Sequence, residues 1–385
     1  MGLFTKTARH CAIAFGAGLV ISAPAYAATY KTLATGLPNS LEISAVAGTT
    51  AYGTTLYGGT GGAGTLFSVT SAGKVATLHK FAAATDGSQP NDMLAVGPLG
   101  NIYGTTQAGG QFGGGTIYEF TPHLRTLKVL HAFDAAAGDG SGPLQGLVRS
   151  RTGALYGAAA GGAISTNGSV FEINPLGVYA TRYRFKSAGD GHCPFSGVAV
   201  DSNDVVYGTV VGNGFGGDPN GAVWKLGTHG RLTPLYVFKD AGDGEYPTQA
   251  PIVDAAGNVY GTMITKNGGE YAGAVWKIDP AGNFSIIHQF AGKADGFGPN
   301  GPLMINSDGN LYGTTQSGGG TAAKPGYGTL FRVTPAGLFK VIHTFNGADG
   351  SNPTGTLAHD TAGAIYGATT GNSGGTGGTV YKVEP

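Results

Sequence analysis

The dipeptide Tyr-Gly recurs in register seven times along this 385-residue chain, at Tyr52, Tyr103, Tyr156, Tyr207, Tyr260, Tyr312 and Tyr366. The intervals are 51, 53, 51, 53, 52 and 54 residues. Two more Tyr-Gly pairs, at Tyr57 and Tyr327, fall outside that register. A fixed period near fifty, filled with short apolar runs and glycine turns, belongs to β-propellers, where each repeat is one blade. The expected fold is all-β: a seven-bladed propeller of four-stranded blades.

The fullest repeat runs from Pro299 to Phe345. It holds four β-rich runs separated by turns such as Ser307-Asp308-Gly309-Asn310 and Thr334-Pro335-Ala336-Gly337. We letter these strands a to d. Strand c carries an aromatic at one place in every copy: Phe67, Tyr118, Phe171, Trp224, Trp276, Phe331 and Tyr381. Strand d ends in Phe81, Phe133, Phe185, Phe238, Phe290 and Phe345. Two residues earlier, on the same strand face by the period of two, stand His79, His131, Tyr183, Tyr236, His288 and His343. The last copy stops after strand c, while the segment Ala28 to Leu33 precedes the first copy with no strands a to c of its own. The N-terminal strand is therefore expected to complete the last blade and close the ring, leaving no exposed edge.

The first 27 residues read as a secretory signal, with Lys6, Arg9 and His10 ahead of an apolar run and Ala25-Tyr26-Ala27 as the cleavage pattern. The run is short for a membrane span. The expected organisation is thus a signal peptide at 1–27 and one propeller domain at 28–385, secreted or periplasmic and monomeric. Removing the signal leaves 20 basic against 22 acidic residues. That balance does not favour nucleic acid or an anionic membrane. Cys193 is then the one remaining cysteine, so neither an intrachain disulfide nor a multi-cysteine metal site is expected. No metal or cofactor signature is present: Asp201-Ser202-Asn203-Asp204 begins like a Ca²⁺ loop but lacks the rest. Gly371-Asn372-Ser373-Gly374-Gly375 lies in a strand-to-strand loop rather than at a nucleophile elbow.

The succession Leu-Tyr-Gly-Thr-Thr, Gly-Gly, Gly-Thr-Leu-Phe and Asp-Gly-x-x-Pro resembles the GloVer tandem repeat of bacterial "choice-of-anchor" surface and secreted proteins. The resemblance runs from about residue 50 to the end of the chain, with six copies of Asp-Gly-x-x-Pro. It implies a secreted or surface-attached bacterial propeller and assigns no chemistry. Because the chain ends at Pro385 within the last blade, a C-terminal anchor is not expected.

Function is sought on the face that carries the long loops. The six repeated aspartates, Asp86, Asp139, Asp190, Asp243, Asp295 and Asp349, allow two readings: a ring of Ca²⁺-binding carboxylates, or side chains that each bond their own turn. The second is favoured, since Ca²⁺ needs six to eight oxygens gathered locally. The strand-d His residues and the two tryptophans fit packing roles for the same reason of repetition. Departures from the repeat are better markers of a site. Phe195, Phe215, Tyr246, Tyr271, Phe297 and Tyr327 are candidate ligand-stacking aromatics, suited to a carbohydrate-like or cell-envelope glycan. The competing reading is a polysaccharide-active enzyme: a glycoside hydrolase using two of Asp218, Glu245 and Glu270, or a lyase with His192 as base. A scaffold for protein partners is a third possibility.

Overall fold

The computed structural model describes residues 28–38, 41–91, 93–143, 145–161, 167–186, 190, 194, 196–210, 220–239, 244, 247–263, 266–267, 270–299, 301–320, 326–371 and 377–385. At 266–267, 270–271 and 354 the description is of the backbone alone. Seven antiparallel four-stranded sheets follow one another as the blades of a ring. Blade 1 is built from Leu41–Ala47, Thr50–Thr55, Thr65–Thr70 and Val75–Lys80 in that order. In blades 2 and 6 strand a is split in two, and both pieces pair with strand b. Blade 7 takes strands a to c from Pro353–His359, Ile365–Thr369 and Gly378–Glu384, and strand d from Thr29–Leu37. Thr29 lies opposite Glu384 and Thr32 opposite Tyr381, so the expected N-terminal closure is present.

The recurring Tyr-Gly has a packing cause. In every blade the glycine lies directly across from the strand-c aromatic, as Gly53 does from Phe67 and Gly261 from Trp276. The far end of the ring packs against the glycine, where an added Cβ would collide with it. None of these seven glycines has a positive φ, so space rather than backbone freedom selects them. The tyrosine serves the short a-to-b hairpin. Tyr207, Tyr260, Tyr312 and Tyr366 donate their hydroxyls to Asp201, Asp254, Asp308 and Asp360 at 3.1, 2.9, 2.9 and 3.3 Å. Burial and the adjoining Asp201 push Tyr207 up to about 12. Burial opposes ionisation of Asp254, but bonds from Asn258, Tyr260 and Ala256 outweigh it and hold the carboxyl below its ordinary value.

The core lies between blades. The closing Phe of one strand d meets the strand-c aromatic of the next blade, with ring centroids 5.1 Å apart for Phe81 and Tyr118 and 5.2 Å for Phe133 and Phe171. Both tryptophans are fully buried in this layer. Burying one such side chain contributes about 1.5–3 kcal/mol, so repeated aromatic layers carry much of the ring's stability. Among the described residues no helix is long and apolar enough to cross a membrane.

Candidate ligand-binding site at the ring closure

The repeated aspartates are blade-to-blade latches. Each described copy accepts a backbone N–H from its own turn, as Asp86 does from Ala82 and Asp349 from Asn346. Each also meets the strand-d His or Tyr. His79 bonds Asp86 at 2.5 Å, His131 bonds Asp139 at 3.0 Å, Tyr183 bonds Asp190 at 2.5 Å and His343 bonds Asp349 at 2.9 Å. His288 and Asp295 are 3.5 Å apart. The main-chain carbonyl of the latch aspartate then accepts a hydroxyl from strand c of the next blade: Thr116 on Asp86, Ser169 on Asp139 and Thr379 on Asp349. Where described, the glycine after the aspartate has a positive φ, and at Gly87 its bare Cα sits against Thr106. The proline that ends the motif packs on the glycine opening strand c of the preceding blade, as Pro90 does on Gly64 and Pro299 on Gly273.

The latch ring also stacks forward. His131 lies 3.6 Å from Tyr179, Tyr236 4.2 Å from Phe284, His288 3.6 Å from Phe339 and His343 3.7 Å from Tyr30, each pair nearly parallel. Burial lowers the pKa of His131, His288 and His343 despite the paired aspartates. These side chains hold blades together, which accounts for both the carboxylates and the histidines in structural terms. Among the described residues no three or more His, Cys, Asp or Glu gather as a metal site.

The junction between blades 7 and 1 departs from this plan. Ala34 pairs with Val380 as His343 pairs with Leu330, so alanine stands where the latch His would be. Leu37 pairs with Gly378 past a register shift, in the place of the closing Phe. Val75 opens strand d of blade 1, where Tyr179, Phe284 and Phe339 stand in blades 3, 5 and 6. Pro38 ends the described segment and no Asp-Gly precedes it. Leu37 and Val75, smaller than those aromatic rings, line a cavity of about 410 Å³, within the usual range for a small-molecule site.

Its floor is apolar, with Leu41 and Phe67 buried and Leu37 half-buried. Tyr57 and Val75, 55% and 38% exposed, stand at the rim. Thr55, Thr60, Thr65 and Thr77 supply hydroxyls, and Lys80 a cation. The loop that carries Tyr57 is anchored, because Thr55 donates to the Tyr57 carbonyl at 2.7 Å and Gly64 donates to that of Gly58 at 3.1 Å. In blades 2 and 6 the corresponding glycines, Gly110 and Gly319, donate to Ala83 and Lys293 of the preceding blade. In blade 1 the same loop borders the cavity instead.

The sequence candidates are distributed otherwise. His192, Phe195, Phe215, Asp218, Glu245 and Tyr246 lie outside the described residues. Glu270 and Tyr271 form a two-residue strand paired with Lys266–Asn267, described as backbone only. Phe297 is half-buried in strand a of blade 6 and packs on the core between blades 5 and 6. Tyr327 is 41% exposed, lies against Gly347, and bonds Phe345 and Asn352 through its backbone. Neither Phe297 nor Tyr327 lines the ring-closure cavity. Of the residues that line it, the repeat singled out Phe67 only as a core aromatic, and Tyr57 carried one signal as a Tyr-Gly pair out of register.

A family model, described as the Gloeobacter/Verrucomicrobia repeat, matches residues 25–218, 135–323 and 263–385. The chain belongs to this repeat family. Among curated protein sequences none matches it significantly. Solved structures similar to this Gloeobacter/Verrucomicrobia repeat protein are distant in sequence. A Bacteroides uniformis protein named as a candidate 6-phosphogluconolactonase is 15% identical with a TM-score of 0.54, covering 86% of this chain and 88% of its own. A mutant puromycin hydrolase complexed with PGG is 11% identical with a TM-score of 0.55, covering 85% of this chain and 49% of its own. A gluconolactonase from Xanthomonas campestris is 11% identical with a TM-score of 0.48, covering 92% and 89%. At these identities the likeness is one of fold, and the chemistry of the Gloeobacter/Verrucomicrobia repeat protein has to be argued from its own residues.

Proposed function

We propose that this protein is an exported binding propeller whose long-loop face holds a carbohydrate-like ligand in the cavity at the ring closure. The supporting observation is the break in symmetry there: aromatic and aliphatic walls, threonine hydroxyls and an anchored, exposed Tyr57 around about 410 Å³. Sugars present C–H faces that stack on aromatic rings and hydroxyls that need polar partners, and this wall offers both. The recurring His–Asp pairs that would suggest acid–base chemistry are occupied by contacts between blades. Export rests on the leader-like residues 1–27.

The test is calorimetric titration of the full mature protein with a panel of bacterial and plant oligosaccharides, with mass spectrometry of the mixtures. Binding that is lost in Tyr57→Ala, without new products, is the expected result. Released fragments would make the protein an enzyme. Binding indifferent to Tyr57 would place the ligand elsewhere. N-terminal sequencing of exported protein, expected to begin at Ala28, checks the export signal.

A further inference from the structure

We infer that the ring-closure cavity selects an acidic saccharide, one whose sugar ring carries a carboxylate, with Lys80 as the residue that reads the charge. The inference rests on the binding reading above and deepens it by naming the ligand class.

Among the described residues Lys80 is the one charged side chain lining the cavity, and no acid lines it. Among the described residues the Lys80 ammonium has neither an ion-pair nor a hydrogen-bond partner. Two of its counterparts at the end of strand d, in blades 3 and 5, are engaged. Arg184 donates to the Gly138 carbonyl at 2.7 Å, and Gln289 to that of Gly273 at 3.0 Å. The backbone of Lys80 is fixed by pairing with Thr65, whose hydroxyl lies 2.8 Å from that of Thr55. A rigid strand thus presents an uncompensated cation at the mouth of a cavity with an apolar floor. Such a cation favours a ligand anion, because a charge-assisted bond formed at a partly enclosed site is stronger than a neutral one.

The rest of the wall decides which anion. The site matches a sugar ring with an apolar C–H face and hydroxyl edges: exposed Tyr57 stands at the rim, Phe67 lies in the floor, and Thr60 and Thr77 provide hydroxyl groups with no protein hydrogen-bond partner among the described residues. A fatty acid would use the apolar floor and the cation but leave these hydroxyls unmatched. A phosphate calls for several donors converging on one point, and Lys80 is a single point charge.

The experiment compares galacturonic acid trisaccharide with its methyl ester, which keeps the ring and removes the charge, and includes decanoate as an apolar acid. Titrations use the full mature protein and its Lys80→Gln and Lys80→Arg variants, each checked by thermal melting. The acid should bind at least about fivefold tighter than the ester, and the preference should shrink with added salt as the charges are screened. Lys80→Gln should abolish the preference and Lys80→Arg should restore it. Equal affinity for acid and ester would overturn the charge selection while leaving the binding reading standing. Lys80-dependent binding of decanoate without binding of the uronate would also overturn it, assigning the cavity to an apolar acid. If no saccharide of either charge binds, both this inference and the binding reading fail.

Discussion

Where blade 2 meets blade 3, His131 bonds Asp139 and stacks on Tyr179, and Phe133 fills the space beneath against Phe171. Where blade 7 meets blade 1, Ala34, Val75 and Leu37 occupy the equivalent places and a cavity remains. The two junctions are built from the same kinds of strand, but the closure has a second register shift, no Asp-Gly latch and smaller side chains at the packing positions. A repeat architecture can therefore create a pocket by omitting its own packing residues at one junction. The blades themselves need not change.

The comparison can be broken most sharply by truncation. Phe133→Ala removes a fully buried ring from a filled junction and should cost about 3–5 kcal/mol in urea unfolding. Leu37→Ala at the closure, beside existing empty space, should cost about 1 kcal/mol or less, since the surroundings lose fewer contacts. Equal losses would mean that the closure is as tightly packed as its neighbours. Next in size is the latch. Asp86→Ala leaves the Ala82 N–H and His79 without their acceptor, and should cost about 1–3 kcal/mol by the same measurement.

The pH dependence separates the junctions in another way. His131, His288 and His343 titrate below the unfolded imidazole value of about 6.5, because burial disfavours their charged forms. The unfolded chain then takes up protons first. Their contribution is fully present above pH 6.5 and is lost as pH falls through the lower folded values. Thermal melts should be flat above pH 7 and decline below 6.5, and His131→Tyr, borrowing the residue of blade 3, should lessen the decline. No histidine lines the ring-closure cavity among the described residues, so none there contributes to that decline.

The gentlest change makes the two junctions alike. Ala34→His with Val75→Tyr would rebuild the stacked pair at the closure. It should raise stability by about 0.5–1.5 kcal/mol, the worth of an aromatic pair, and abolish ligand binding by filling the cavity. A stabilised double variant that still binds would move the site away from this junction.

The same contrast explains what could be read from the chain alone. Repetition made the blades legible: Tyr-Gly in register marked strand b, the aromatics marked strand c, and the missing strand d at one end matched the lone strand at the other. It also allowed the aspartates and histidines to be assigned to the scaffold, as their bonds now show. The cavity was hidden because leucine and valine attract no notice individually, and the smallness of Leu37 and Val75 matters only where they converge across the junction between blades 7 and 1. Two traces of it were present: the absence of a seventh Asp-Gly-x-x-Pro, and Tyr57 standing out of register. The longer loops, where the charged candidates fall, carry no period that would fix their positions.

Tyr30 and its hydrogen-bond partner Asp349 are 319 positions apart, joined only because strand d of the last blade is the first strand of the chain. This strand, synthesised before every other described strand of blades 1 to 7, must therefore wait for the last of them to find its place. Until blade 7 exists, its partner edge is missing and blade 1 has no neighbour on one side. Ring closure is a step of high sequence separation that local folding of the blades cannot hasten, and both open edges stay exposed to other chains until it happens.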